Sequence, residues 1–266
     1  MGSTAACGKH YQVAVWNFLN EYYKIYAKPT VRCRKENRTP AVRFLMSISP
    51  VMQEYLAEAY RIAAYQDTPY VSTSALATEM GVSAPAVARM ATRLRDAGYI
   101  EHEPYQGMKL TISGEREALS AIRRHRLAEV FLVKVMGFGW HEVHDEADTM
   151  GTAITDRIAE RMEEMAEFPR RCPHGEPIPD REGLMPRIND KCLADVEPPA
   201  ELVVSRVHTH DPAVLMYLEE LGLVPGKKIK LVSRAPFNGP LRLEIDRYEQ
   251  IIGAELAGVL RVSTGE

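Results

Sequence analysis

Hydrophobic residues recur every three or four positions from residue 49 onward, which predicts a run of helices. Ser49 and Pro50 are typical of a helix start, and the segment SPVMQEYLAEAYRI follows with that spacing. A second, short helix is predicted to end at Gly81, and a third to run from Ser83 to Gly98. Two helices joined by a glycine turn at this spacing indicate a helix-turn-helix.

Two strand-like segments, YIEHEP and MKLTI, follow the third helix and are joined by a turn at Tyr105. This predicted hairpin lies where winged-helix proteins carry their wing. The apolar positions of the third helix are predicted to face the core: Val87, Met90, Ala91 and Leu94. Its outward residues and the hairpin turn are predicted to contact DNA, because arginines there supply phosphate or guanine contacts. These residues are Ser83, Pro85, Ala86, Arg89, Arg93 and Tyr105.

Two longer helical patterns come next, EREALSAIRRHRLAEVFLVKVMG and HEVHDEADTMGTAITDRIAERMEEM, joined by the turn GFGW. The turn is predicted to fold the second helix back onto the first. The second pattern carries an apolar stripe that is typical of core and also wide enough to seal a two-fold dimer interface. Its members are Val143, Ala147, Met150, Ile154, Ile158 and Met162.

Side chains that can bind metal ions lie on both of these predicted helices. His125 and Glu129 are four residues apart, as are His144 and Asp148, and His141 precedes Asp145 by the same interval. Side chains at this spacing share one helix face, so each helix offers a pair of nitrogen and oxygen donors. A single such pair is usually a surface ion pair, and only the convergence of several favours a metal site.

The segment over residues 167–199 is rich in proline and glycine and is predicted to be a linker. It contains Cys172-Pro173-His174, which places a thiol and an imidazole two residues apart. From residue 200, short strands alternate with turn residues, and one short helix follows the first strand. This pattern predicts a small β-barrel domain.

Composition sets the wider limits. No apolar run is long enough for a membrane span, and the four cysteines are too irregularly spaced for a disulfide framework, so we expect a cytoplasmic protein. The net charge is −3, but residues 1–45 alone carry +6, which leaves −9 for the remainder. This basic segment is a DNA-touching arm, a partly helical appendage, or a leader ahead of a true start at Met46.

The order of these motifs resembles the family of the diphtheria toxin repressor and the manganese transport regulators. The winged helix-turn-helix is followed by RRHRLAEVFL, HEVHDEAD, FPRRCPHGEPIP and a small strand-rich domain, over about residues 47–264. The resemblance implies a mainly α fold with a small β portion. Its expected parts are a poorly defined extension at 1–45, a winged helix-turn-helix domain at 46–113, a helical metal-binding and dimerisation domain at 114–166, a linker at 167–199, and an SH3-like barrel at 200–266.

The family resemblance also implies a function. A homodimer would bind a divalent ion, place its third helices in successive major grooves of a palindromic operator, and repress metal-uptake genes. The CPHG motif resembles the manganese-sensing branch, so Mn(II) is expected, with Fe(II) as the alternative. Neither enzymatic activity nor a small-molecule substrate is expected.

One implied metal site takes donors from both helices and from the Cys-Pro-His loop: His125, Glu129, His144, Cys172 and His174. The barrel would add one more donor, and His210 and Asp211 both stand open for that role. A second family site would draw on Glu54 and Asp148, but Gly151 and Thr152 occupy positions where the family carries a carboxylate and a histidine. That site is therefore incomplete, or is rebuilt with water and Glu58 or Glu146.

Two other classes of function remain to be compared with a metal sensor. A metal-free regulator could sense oxidants through the Cys172 thiol. A metal hydrolase is disfavoured because no HExxH motif, nucleophile elbow or glycine-rich phosphate loop is found. The barrel could also serve chiefly as a protein-interaction module.

Overall fold

The computed structural model describes residues 48–151 and 153–264. The basic segment over 1–45 and Thr152 lie outside the described residues. The first region is a winged helix-turn-helix, as predicted. Its elements are α1 (Pro50–Ala64), α2 (Thr73–Glu79), α3 (Ala84–Asp96), β1 (Ile100–Glu103) and β2 (Gly107–Leu110).

Local sequence explains these helix boundaries. The Ser49 side chain accepts a hydrogen bond from the Met52 amide at 3.3 Å and so caps α1. Gly81 has a φ of +62°, a backbone conformation that favours glycine, and it separates α2 from α3. The predicted inward face of α3 is buried, and it packs with α1 and the hairpin in one hydrophobic cluster.

The second region is helical, and it corrects one prediction. The pattern from His141 onward forms two helices rather than one, so the region contains α4 (Ile112–Lys134), α5 (Val143–Gly151) and α6 (Asp156–Met165). The break falls after Gly151, and the Thr155 side chain accepts from the Ile158 amide at 3.4 Å to begin α6. His141 lies before α5, so its predicted helical pairing with Asp145 does not occur.

The predicted apolar stripe is mostly interior, which agrees with the first of the two roles considered for it. Val143, Ala147, Ile154 and Met162 are buried against α4, whereas Ile158 is 45% exposed. The break before α6 changes the phase of the helical repeat, so positions predicted to share one face do not. Most of the stripe therefore belongs to the core of the chain itself and is not free to seal a dimer interface.

The third region is a six-stranded antiparallel sheet with the strand order β3-β8-β4-β5-β6-β7. Its strands are β3 (Lys191–Cys192), β4 (Ala200–Val207), β5 (Lys228–Arg234), β6 (Leu241–Ile245), β7 (Tyr248–Ile252) and β8 (Leu260–Ser263). Two helices complete it, α7 (Pro212–Glu220) and α8 (Ala254–Val259).

The sheet begins earlier than the sequence pattern indicated. β3 pairs with β8, and Leu193 beside it is fully buried in the core of this region. The predicted boundary at residue 200 therefore cuts through the domain. β7 was also not predicted, because the segment YEQII lacks a regular alternation of polar and apolar residues; only Ile252 of the strand is buried.

The helical region contacts both of its neighbours. Gln53 on α1 donates to Glu117 on α4 at 2.7 Å. Trp140, in the turn between α4 and α5, is buried in the core of the sheet region, and its indole N–H donates to Glu219 at 3.1 Å. The turn is therefore anchored in the barrel. Within the described residues, no helix is both long enough and apolar enough to cross a membrane.

Replacing Thr155 by alanine tests the cause of the helix break. Loss of an N-cap of this kind costs about 1 kcal/mol, which corresponds to a Tm lower by about 2–4 °C for a domain of this size. Thermal unfolding followed by circular dichroism in EDTA measures the change. Thr92→Ala, at an exposed position inside α3, is the control and should leave the Tm almost unchanged. An equal effect of both substitutions would contradict the capping role.

Candidate metal centre

The Glu129 carboxylate lies at the centre of a buried polar cluster. Glu129 is in the middle of α4 and is 1% exposed. Its Oε1 atom lies 3.2 Å from His125 Nε2, 3.3 Å from His144 Nδ1 and 3.3 Å from His174 Nδ1. No lysine or arginine of the described residues forms an ion pair with it. The carboxylate is therefore surrounded by imidazoles, which are themselves metal ligands.

Charge coupling holds this cluster together. Burial by itself would raise the pKa of Glu129, but the neighbouring histidines, His125 foremost, hold it well below its ordinary value. Burial likewise opposes protonation of His125, yet Glu129 and Asp148 outweigh it and raise the pKa of His125. The centre is thus an ionised carboxylate whose only source of positive charge, within the described residues in contact with it, is protonation of its imidazole neighbours.

The Cys172-Pro173-His174 loop closes one side of the cluster. Cys172 and His174 are both buried, and Cys172 Sγ lies 4.0 Å from His174 Nδ1. His174 Nε2 lies 2.9 Å from the backbone oxygen of Trp140. A carbonyl oxygen can only accept, so Nε2 carries a proton, and Nδ1, on the side of Glu129 and Cys172, is the nitrogen that can bind a metal ion. The Trp140 carbonyl thereby orients the His174 ring so that Nδ1 faces the centre as a potential metal ligand.

The loop conformation depends on Gly175. The His174 carbonyl accepts from the Val207 amide at 2.8 Å, which joins the loop to β4. Gly175 has a φ of +89°, and a Cβ atom there would lie 2.3 Å from the Ser205 carbonyl oxygen. Only glycine fits this close approach of two backbones.

His210 comes from the barrel side and completes the ring of imidazoles. Its ring stacks on that of His144 with a centroid distance of 3.5 Å and an interplanar angle of 10°. His210 is partly open to solvent, but desolvation of its ring and the nearby His144 lower its pKa below the ordinary value, so it is a neutral imidazole with a free lone pair. Asp211, the other residue considered, caps α7 by accepting from the Ala213 amide at 2.8 Å. The structure brings His210 to the centre and places Asp211 at a helix end.

Asp148 and Glu54 line the same cavity on its more exposed side. Asp148 Oδ1 lies 2.9 Å from His125 Nδ1, and Oδ2 lies 3.7 Å from His144 Nε2. Burial and the charge of Asp148 raise the pKa of Glu54. Gly151 lines the cavity too but contributes no side chain. Asp148 is therefore placed to orient two histidines, while the second group of donors stays incomplete in the described residues.

The donor set fits a divalent cation. The cavity, of about 850 Å³, is lined by residues of α1, α4, α5, the loop and the barrel. Two groups of three donors share Glu129, and within each group the ligand atoms lie within 4.8 Å of one another: His125, Glu129 and His144, and Glu129, Cys172 and His174. Nitrogen, carboxylate oxygen and sulfur together suit first-row transition metals. A buried carboxylate also needs a compensating positive charge.

The residues predicted to contact DNA lie at the solvent surface. Ser83 caps α3 without a side-chain hydrogen bond, and Pro85, Arg89 and Arg93 are exposed on that helix. Ala86 is half-buried. Tyr105 is fully exposed at the hairpin turn, with a φ of +66°.

Sequence reasoning missed three groups that support the centre. These are the Trp140 carbonyl, Gly175, and Glu176, which follows the loop and binds two arginines. A glycine directly after a pair of donors was a usable signal of a tight loop. No sequence signal could have found the Trp140 carbonyl, because every residue carries one.

Three family models match the chain in succession. Residues 47–108 match the "Iron dependent repressor, N-terminal DNA binding domain", residues 111–180 the "Iron dependent repressor, metal binding and dimerisation domain", and residues 191–264 the "FeoA domain". These spans agree with the three regions of the structure.

Individual relatives agree with these matches. The chain is 31% identical to an HTH-type transcriptional regulator of Methanocaldococcus jannaschii, over 43% of this chain and 91% of that protein. It is 27% identical to the iron-dependent repressor IdeR of Mycobacterium tuberculosis, over 78% and 94% of the two chains.

Among solved structures, a manganese-dependent transcriptional repressor in complex with manganese is 33% identical, with a TM-score of 0.75, and covers 80% of this chain and 99% of its own. ScaR with bound Zn²⁺ is 29% identical, with a TM-score of 0.67, over 80% and 99% of the two chains.

The chain belongs to the diphtheria-toxin-repressor family of metal-dependent transcriptional repressors. The resemblance seen in the sequence motifs is thereby confirmed, as is the fold class. A DNA-binding domain, a helical dimerisation domain and a small β domain follow one another along the chain.

Substitution of Gly175 tests the loop. Gly175→Ala should weaken divalent-metal binding, with Mn(II) as the probe, by about 10–100-fold, the usual cost of disturbing groups that orient metal ligands. Gly226→Ala is a matched control, because Gly226 has the same φ of +89° but open space around a Cβ atom. Equilibrium dialysis against MnCl2 compares the two. Equal losses would mean that a Cβ atom at a positive φ weakens metal binding through general strain, and that the contact with Ser205 has no specific role.

Proposed function

We propose that this chain is a Mn(II)-responsive repressor of metal-uptake genes that binds palindromic operator DNA as a homodimer. The observation that carries the proposal is the buried Glu129 carboxylate, which imidazoles and one thiol surround. This carboxylate is ionised and buried, and it has no lysine or arginine partner in the described residues. A cation site is expected to contain a carboxylate of this kind.

We assign the main site to Glu129, Cys172 and His174, with His125, His144 and His210 as the neighbouring donors. Bound there, a divalent ion supplies the positive charge that an ionised Glu129 and a Cys172 thiolate require. Burial and the Glu129 charge raise the pKa of the Cys172 thiol well above its ordinary value, so metal binding must displace a proton from sulfur. Asp148 serves to orient His125 and His144. Glu54 lies on the exposed side of the cavity, where we expect it to bind an ion more weakly than the main site does.

Two kinds of observation bear on the metal. Imidazole and carboxylate donors suit both Mn(II) and Fe(II), while a thiolate increases the intrinsic affinity for metals above manganese in the divalent series. The 33% identity to a manganese-dependent repressor, whose complex with manganese shares the fold, favours Mn(II). Fe(II) is the second candidate, because IdeR of Mycobacterium tuberculosis is an iron-dependent repressor of 27% identity.

The donors belong to different segments, which gives a physical basis for gating. Glu129 and His144 are on the helical hairpin, and Cys172 and His174 are on the loop. His210 lies between β4 and α7 of the barrel region. Coordination of one ion by donors from all three requires that the segments be held together. A ligand that binds one arrangement more tightly shifts the population toward it. The metal-bound arrangement is the one that we propose binds the operator.

Most of the predicted stripe is buried, so the proposed dimer needs the apolar side chains that stay exposed, including the stripe member Ile158. Ile158 and Met165 on α6 are 45% and 48% exposed, and Phe168 just after this helix is 63% exposed. These apolar side chains lie within the span that matches the dimerisation domain. A two-fold contact through them would cover apolar surface and set the spacing of two recognition helices.

The Cys172 environment disfavours the thiol-sensing alternative. A reactive sensor thiol is accessible and has a lowered pKa, whereas Cys172 is 6% exposed and its pKa is raised by burial and by Glu129. These properties suit a thiol that is deprotonated only in exchange for a metal ion.

Replacing the central carboxylate tests the metal site. Glu129→Gln keeps the side-chain shape but removes the charge, and Mn(II) binding should weaken at least 100-fold. Glu115→Gln, at an exposed position in the first turn of α4, is the control and should bind Mn(II) like the parent. Dialysis followed by metal analysis gives affinity and stoichiometry. Saturating Mn(II) should raise the Tm of the parent and the control only.

Mn(II) binding by Glu129→Gln with unchanged affinity would show that the site lies elsewhere. A Mn(II) stoichiometry of zero in the parent protein would contradict the proposed function itself.

Replacing an arginine on α3 tests the DNA-binding surface. Arg89→Ala should weaken binding of Mn(II)-loaded protein to its selected operator duplex by about 1–3 kcal/mol, the usual cost of losing an arginine contact to a base edge. Arg187→Ala, which removes an exposed arginine of the segment before β3, is the control. Fluorescence anisotropy measures both. Equal affinities of Arg89→Ala and the parent would remove Arg89 from the interface.

A further inference from the structure

A second polar cluster, whose charged side chains are buried and whose tyrosine, Tyr65, is 38% exposed, lies beside the proposed metal centre, and we refer to it as the Glu176 cluster. It consists of Glu176, Arg126, Arg206, Asp190 and Tyr65. The two arginines and the two carboxylates have side chains between 1% and 14% exposed and balance one another in charge. The cluster joins four parts of the chain: α1, α4, the segment after the Cys-Pro-His loop, and β4.

Glu176 is tied to the metal loop through the backbone. The Glu176 carbonyl accepts from the Cys172 amide at 2.8 Å, and the Gly175 amide donates to the Cys172 carbonyl at 2.9 Å. The position of the Glu176 side chain is therefore fixed by the same tight turn that presents Cys172 and His174. A change in that turn must also move the Glu176 carboxylate.

Two arginines from different regions of the chain bind the Glu176 carboxylate. Arg126 on α4 donates from Nη2 to Glu176 Oε2 at 3.2 Å and also binds the Pro177 carbonyl. Arg206 on β4 donates from Nη1 to the same carboxylate at 3.1 Å and from Nε to Asp190 at 2.8 Å. The helical region and the barrel thus meet at this one side chain.

Tyr65 brings the DNA-binding region to the same point. It is the C-cap residue of α1, and its hydroxyl donates to Glu176 Oε1 at 2.7 Å and accepts from Arg206 Nη1 at 2.8 Å. Its ring also packs on His208, with centroids 4.0 Å apart. Among the hydrogen bonds of the described residues, these two are the ones that link residues 48–110 to the metal loop and the barrel.

We infer that Tyr65 is the positioning residue that couples the metal loop to the DNA-binding domain. The inference rests on the proposed function and assigns the regulation of that site. When the donors of the loop are drawn together, the 172–176 turn is fixed and Glu176 is held ready to accept the Tyr65 hydroxyl. The end of α1 is then fixed against α4 and β4. Because α1 packs with α2 and α3 in one core, the recognition helix takes a defined position relative to the rest of the chain.

Tyr65→Phe tests this coupling because it removes only the hydroxyl. The probe is a duplex that the full chain selects from a randomised library in excess MnCl2. The quantity measured is the ratio of the Kd for this duplex in EDTA to the Kd in MnCl2. Loss of a hydrogen bond to an ionised acceptor should lower this ratio about tenfold. Mn(II) stoichiometry should remain that of the parent, because Tyr65 is not a metal donor.

Two further variants make the result specific. Tyr60→Phe removes the same atom from the same helix, at a position whose hydroxyl has no hydrogen-bond partner among the described residues, and should keep the parent ratio. Glu176→Gln keeps the acceptor shape but removes its charge, and should lower the ratio as Tyr65→Phe does. It provides an independent test if Tyr65→Phe alters the thermal unfolding of the chain.

The outcomes separate this inference from the proposed function. If the parent protein shows a metal-dependent ratio and both Tyr65→Phe and Glu176→Gln stay within twofold of it, the coupling role of Tyr65 is wrong while the metal gating stands. If the parent selects no duplex, or binds it equally in EDTA and MnCl2, the proposed function fails and the inference fails with it.

Discussion

Burial of the Glu129 carboxylate is the constraint on which the rest of this structure depends. An ionised carboxyl group removed from water is costly unless a positive charge or several donors compensate it. Here the compensation comes from imidazoles on α4, α5 and the Cys-Pro-His loop, and the pKa of Glu129 is held well below its ordinary value as a result. The relative positions of those segments thus depend on the negative charge of the Glu129 carboxylate.

The surrounding fold converts this local requirement into a link between domains. Trp140 illustrates how: its indole is anchored in the barrel core, while its carbonyl fixes the proton of His174 on the nitrogen that faces away from Glu129. The loop itself is joined to β4 through the His174 carbonyl and Gly175. Barrel, loop and helical hairpin therefore meet within a few ångströms of one carboxylate, and an ion at this place would act on all three.

Much of the architecture could be predicted from sequence, because local signals define it. Ser49 and Pro50 predict the start of α1, and Gly81 predicts the turn between the two helices of the helix-turn-helix. The i,i+4 spacing of His125 and Glu129 places both on one face of α4. The break between α5 and α6 was missed because Gly151 is tolerated inside a helix and the apolar repeat continues past it. β3 was missed because a strand of two residues is too short to show a periodic pattern. β7 was missed because its buried and exposed positions do not alternate regularly.

The centre itself was only partly accessible from sequence. His210 and Asp211 are neighbours that can both bind a metal ion, and only the fold shows that one stacks on His144 while the other caps α7. The Glu176 cluster was not predicted, since its members are 141 residues apart at the extremes and each alone is an ordinary surface residue type. Long-range convergence of this kind depends on the packing of three regions, which no local pattern encodes.

The location of the bound ion tests the account most directly. Crystals of the Mn(II)-loaded chain, measured at the manganese absorption edge, would give an anomalous difference map that shows the ion without reference to any assumed ligand. We predict a peak within coordination distance of Glu129, Cys172 and His174. A peak confined to the side of the cavity lined by Glu54 and Asp148, with none at Glu129, would contradict the assignment of the metal centre.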